Sequence, residues 1–145
     1  MAPGVPLALL ALGLAALPPG SAAAHPAQDY MLYCMGCHGP DARGVPGKVP
    51  ALAGSLSRFM RTPEGRDYVL RVPGAANSAL ADGQLAAVLN WLAARDAAAG
   101  EARVPPFTEA EVALVRRLPL ANVLATRHEV VSSLAATGPA PPQEY

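Results

Sequence analysis

Cys34, Cys37 and His38 stand together in "YCMGCHGPD" (33–41), and this stretch holds both cysteines of the chain. Two thiols and an imidazole so spaced could serve three chemistries: a disulfide or redox dithiol, a metal-ion site, or covalent attachment of a haem. On a helical turn, residues i and i+3 share a face. Two thiols there can each add to one vinyl group of the same porphyrin. His38 follows at once, so its imidazole can reach the iron from the side of the links, while Met35 and Gly36 only span the gap. The order C-x-x-C-H is the signature of c-type haem attachment.

The competing chemistries have weaker support. A thioredoxin-like dithiol belongs to a βαβ framework, and no strand pattern is visible in the chain. Zinc is held by four ligands. Beyond these three residues only His25 and His128 are obvious candidates, and His25 sits at the end of a segment expected to be removed. The motif therefore points to one haem c, held through Cys34 and Cys37.

The chain around this motif has 145 residues, enough for one domain. It carries 11 basic and 11 acidic residues, all after residue 24, for a net charge of zero. A nucleic-acid binder would need a basic surface. Residues 5–17, "VPLALLALGLAAL", form an apolar run too short to span a bilayer comfortably. Pro18, Pro19 and Gly20 break it, and Ala22 and Ala24 offer small residues for a signal peptidase. Cleavage is expected after Ala24, although no Lys or Arg precedes Arg43 and an uncleaved anchor is the alternative. Export places the protein in an oxidising compartment, the bacterial periplasm or cell exterior, and disfavours cytoplasmic roles.

The elements that must position the motif read as short helices. Residues 27–34 can make a helix leading into the cysteines. Residues 39–54, rich in Gly and Pro, are a loop. Residues 55–61 form one or two helical turns, 62–65 a turn, 66–72 a short helix or extended piece, and 73–78 another loop. The clearest helix is 83–95, where Leu85, Val88, Leu89 and Leu92 make one apolar stripe, Asp82 a cap and Arg95 a favourable end. Thr108 and Glu111 form a capping box before "VALVRRL", which Pro119 ends. A last helix spans about 121–135. The fold class is all-α. Loops of this length leave backbone groups unpaired and bury little apolar area, so a small domain of this kind needs a staple or a large apolar cofactor at its centre.

The chain resembles the class I cytochromes c over residues 26–95. An aromatic four residues before the first Cys is Tyr30, and a proline twelve residues after the haem histidine is Pro50, in "VPALAG". "LADGQLAAVLNWL" (80–92) is similar to the start of that family's terminal helix, with Trp91 as its aromatic. The resemblance implies a cytochrome c-like fold around one covalent haem. It implies that Tyr30 packs against the Leu85–Leu92 stripe and that the Pro50 carbonyl accepts the second N–H of His38, fixing the ring. Such members usually supply Met as sixth iron ligand from a loop before the last helix. The matching loop, "RVPGAANSAL" (71–80), has none. Met60 is the candidate that remains, with His128, Asn77 or an open site as alternatives. Arg58, Arg61, Arg66 and Arg71 are read as a solvated face, with propionate pairing or partner docking as the other roles.

The resulting expectation is an exported monohaem c-type cytochrome that carries single electrons between redox partners such as a dehydrogenase or oxidase, and is not itself an enzyme. A five-coordinate haem protein that binds a small ligand or peroxide, or a haem subunit of a larger oxidoreductase complex, is the alternative. The expected layout is a signal peptide at 1–24, a haem domain at 25–95, a linker at 96–106, a helical C-terminal extension at 107–136 and a disordered tail at 137–145.

Overall fold

The computed structural model describes residues 1, 25–96 and 103–143. Beyond Met1, the expected signal peptide lies outside the described residues, as do residues 97–102 of the expected linker. Among the described residues there are eight helices and no strand: α1 Pro26–Tyr33, α2 Met35–His38, α3 Leu56–Phe59, α4 Pro63–Arg71, α5 Pro73–Ala76, α6 Asp82–Asp96, α7 Glu109–Val115 and α8 Val123–Ala135. The fold is a small all-α arrangement of the cytochrome c type with a helical C-terminal extension. No helix of the described residues is long and apolar enough to cross a membrane.

Local chemistry explains where the helices begin. Thr62 caps α4 by accepting from the Gly65 N–H, and Pro63 fits the first turn because its missing N–H would have no partner there. The expected turn at 62–65 is thus the start of a helix. Pro73 starts α5 in the same way, so part of the 73–78 loop is one helical turn. Thr108 caps α7 through the Glu111 N–H, and Asn122 caps α8 through the Ala125 N–H. Asp82 is the first residue of α6 and not the residue ahead of it; its carboxylate is taken by Arg116 and Arg117, at 3.0 and 3.3 Å. At Gly65 a Cβ would collide with the Phe59 carbonyl oxygen, so α3 and α4 can approach this closely only with glycine there.

The first and sixth helices cross as the resemblance implies. Tyr30 is buried, and its ring centroid lies 5.7 Å from that of Trp91. Its hydroxyl donates to the Gly39 carbonyl at 2.5 Å, which ties α1 to the end of the cysteine turn. Leu85, Val88, Leu89 and Leu92 are all buried in one core that also takes in Phe107, Val112, Val130, Val131 and Leu134 from the C-terminal extension. The extension therefore shares the core of the first 95 residues.

Arginines hold that extension in place, which corrects the expectation of a solvated face. Arg66 grips Glu111 with two nitrogens at 2.7 and 2.6 Å, donates to the Pro105 and Pro106 carbonyls, and stacks 4.2 Å from the Phe107 ring. Arg71 donates to Leu118 and Pro119 carbonyls. Arg58 and Arg61 donate to Ala140 and Pro139 carbonyls. A guanidinium offers five donors in a rigid fork, which suits it to collecting chain-end carbonyls. Of the tail at 137–145 expected to be disordered, residues 144–145 lie outside the described residues, and 137–143 are bound by these contacts and by a Gln143–Ser132 side-chain bond of 3.0 Å. Composition made this stretch look unstructured, but its carbonyls find fixed donors.

Candidate cofactor site

The cysteine turn is built by backbone bonds. After α1 ends, the Cys37 and His38 N–H groups both return to the Cys34 carbonyl, at 3.2 and 3.0 Å. Gly39, at φ 76°, then lets the chain leave the turn in the left-handed region. The following loop folds on itself: Gly44 N–H donates to the His38 carbonyl at 2.8 Å, Val45 and Val49 exchange two bonds, and Leu52 and Ala53 N–H groups converge on the Ala42 carbonyl. Gly44 has φ +66°, and a Cβ there would run into the Val49 carbonyl oxygen.

This loop brings the Pro50 carbonyl 3.0 Å from His38 Nδ1. A carbonyl can only accept, so Nδ1 carries the proton and Nε2 keeps its lone pair. Burial pushes the His38 imidazole below its ordinary pKa, and the Pro50 bond opposes this more weakly. The ring is thereby kept neutral. Burial pushes the Cys34 thiol up, and the charges of Asp29 and Cys37 act in the same direction. Both cysteines are free thiols, Cys34 half-buried and Cys37 exposed.

Cys34, Cys37, His38 and Pro50 all line one cavity of about 460 Å³, a volume within the roughly 300–1,000 Å³ of ligand pockets. The α6 stripe Leu85, Val88, Leu89 and Leu92 forms another wall. Leu56 and Phe59 of α3, Val69 of α4 and the Val72–Ala75 segment line it further, and α8 contributes Val123 and Arg127. Arg127 is 3% exposed; it donates to the Gln143 and Pro142 carbonyls and lies 5.4 Å over the Phe59 ring. Sequence reasoning missed it. The signal was present: with Val123, Val130, Val131 and Leu134 it falls on one face of α8.

The structure does not bring every predicted residue to this cavity. Met60 is 1% exposed and belongs to the core, but it is not part of the cavity wall. His128 and Asn77 are exposed and also lie off the wall. Nothing joins the two thiols to each other, and among the described residues no group of three or more His, Cys, Asp or Glu could hold a metal ion.

No family model matches the chain. The chain is similar to cytochrome c-552 of Thermus thermophilus, 32% identical over 121 residues, which cover 67% of this chain and 90% of that protein. It is likewise 32% identical over 121 residues to a second cytochrome c-552 of Thermus thermophilus, covering 67% of this chain and 80% of that protein. A relationship of this identity spans most of each relative, and it joins an all-α fold with two free thiols and a neutral imidazole on one apolar cavity: the chain belongs to the c-type cytochromes.

Proposed function

We propose that the protein is an exported monohaem cytochrome of class I that passes single electrons between redox protein partners. The residues of the cavity fit haem c. Cys34 and Cys37 would form the two thioether links, and His38 would bind the iron through Nε2. Pro50 would orient His38 through Nδ1, which also raises the basicity of the ligand nitrogen. The aliphatic walls from α3, α4 and α6 would hold the porphyrin in a low-dielectric surround. When bound, haem supplies one-electron redox chemistry at a potential set by axial ligation and burial. Arg127, buried in the cavity wall, places a cation where a haem carboxylate could be met. Its reach into the cavity also gives the C-terminal extension a role in closing the site.

The observation that carries this reading is the 3.0 Å bond from His38 Nδ1 to the Pro50 carbonyl, on a cavity lined by both thiols. It supports His38 as an axial ligand because it presents the neutral tautomer that iron binds. The test is expression with haem-attachment machinery, followed by denaturation and a pyridine haemochrome spectrum. Haem should stay with the chain, and Cys34→Ala with Cys37→Ala should release it. Haem that is absent or extractable from the wild type overturns the reading. Export is checked by N-terminal sequencing of the periplasmic fraction, which should begin at His25.

The partners follow from the same chemistry. A one-electron carrier needs a donor and an acceptor, for which a dehydrogenase and an oxidase are the proposed classes. Stopped-flow mixing of reduced protein with an oxidised second c-type cytochrome should show second-order exchange, and no exchange would count against the carrier role.

A further inference from the structure

We propose that the sixth coordination position of the bound haem iron has no protein ligand and is open to small neutral diatomic molecules. This inference rests on the haem reading above. It follows from where the structure puts each side chain able to make a strong bond to iron.

The thioethers are Met1, Met31, Met35 and Met60. Met1 and Met31 are exposed, and Met35 lies inside the cysteine turn, between the two thiols that would carry the haem on its His38 side. Met60 caps the end of α3, follows the wall residue Phe59 and turns into the core. None of the four lines the cavity. Of the imidazoles, His25 and His128 are exposed and off the wall, and only His38 is on it. The remaining polar wall groups include Lys48, Ser55, Tyr68 and Ser78, none of which is a thioether or an imidazole.

The segment that would bring a Met to iron is also closed. Residues 72–78 wind into one helical turn: Ala75 and Ala76 N–H groups return to the Val72 carbonyl at 3.0 and 2.9 Å, and Asn77 N–H to the Pro73 carbonyl at 3.0 Å. Arg116, 6% exposed, pins the exit of this turn from beneath. It donates to the Ser78 and Leu80 carbonyls at 2.6 and 2.8 Å and pairs with Asp82. The segment therefore offers Val72, Pro73, Gly74, Ala75 and Ser78 to the cavity, and its backbone bonds and the Arg116 contacts fix its path. The aliphatic side chains of this segment present no group that would keep a neutral diatomic out. Binding is a simple addition: one bond to iron forms, an exchangeable water leaves if one is present, and no electron is transferred.

The test uses full-length holoprotein whose covalent haem has first been verified by denaturation. The ferric spectrum is recorded through the near-infrared, and the dithionite-reduced protein is mixed with carbon monoxide in a stopped-flow instrument. The expected result is a ferric spectrum without the methionine–iron band, a pentacoordinate ferrous spectrum, and saturable binding of carbon monoxide at a rate proportional to its concentration. Met60→Leu should change none of these. The proposal is overturned by a methionine–iron band in the wild type. It is equally overturned by a six-coordinate low-spin ferrous spectrum, or by association that Met60→Leu accelerates about tenfold, the mark of removing a competing bond worth roughly 1.4 kcal/mol. If Met60→Leu does not fold, the two wild-type spectra decide alone. Loss of haem at the denaturation step would bring down the haem reading itself, and so is told apart from failure of the open-site proposal.

Discussion

The loop after the cysteines and the C-terminal extension are both poor in regular structure at their edges, yet they are held in opposite ways. Residues 38–53 are fastened to one another by backbone bonds over short distances in sequence, such as Gly44 to His38 and Leu52 to Ala42. Residues 103–143 are fastened by arginine side chains from far away in the chain: Arg66 to Pro105, Arg71 to Pro119, Arg58 to Ala140. The first kind of support depends on backbone conformation and tolerates many side chains. The second depends on individual guanidinium groups and fails when one is removed.

This comparison can be broken most severely at Arg116. Arg116→Met should lower the free energy of unfolding by about 3–5 kcal/mol, because it strands buried carbonyls and half of the Asp82 carboxylate's partners. Chemical denaturation of the variant checks this, and a loss no larger than that of an ordinary surface substitution would show that the extension is not arginine-clamped. In the loop, Gly44→Ala should cost about 1–3 kcal/mol, since a Cβ meets the Val49 oxygen and φ is positive. Pro50→Ala, by contrast, keeps the carbonyl that His38 uses and should leave the iron–histidine stretching frequency of the ferrous holoprotein unchanged. A shift there as large as that in Gly44→Ala would mean that the proline ring, and not the loop path, sets the ligand.

Smaller effects sharpen the picture at the helix crossing. Asn90 donates to the Phe107 carbonyl at 2.9 Å and accepts from its N–H at 2.7 Å, joining α6 to the extension. Asn90→Ala should cost about 2 kcal/mol by leaving these groups unpaired. Tyr30→Phe removes a bond to Gly39 and should cost about 1 kcal/mol. Burial raises the Tyr30 phenol above its ordinary value of 10.0. The unfolded chain therefore loses this proton first, and the stability it contributes is full below pH 10.0 and falls as pH rises beyond it. Unfolding curves across alkaline pH should be flatter for Tyr30→Phe than for the wild type.

Legibility followed the same division. Cys34, Cys37 and His38 could be read because their spacing alone places them on one turn, and Pro50 because resemblance supplied its offset. The caps at Thr108 and the stripe from Leu85 to Leu92 were equally plain, being local patterns. The arginines were not legible: a positive charge in sequence says nothing about which carbonyl it will meet, and Arg58, Arg61, Arg66 and Arg71 read as a solvated face. Met60 read as a candidate iron ligand because it is the one Met that follows the motif in the sequence. Its neighbour Phe59 lines the cavity while Met60 turns into the core, a choice made by the packing of α3 against α4, α6 and α8.

By itself, then, the sequence placed the two thiols and the imidazole on one turn and announced the helical class, since each is a local pattern, while Pro50 was named only through the family resemblance. The tertiary structure decided what stands across the cavity from His38 and what closes it. Those walls come from α3, α4, α5, α6 and α8, segments whose mutual placement depends on core packing and on arginine–carbonyl bonds that span much of the chain, so no local pattern could announce them.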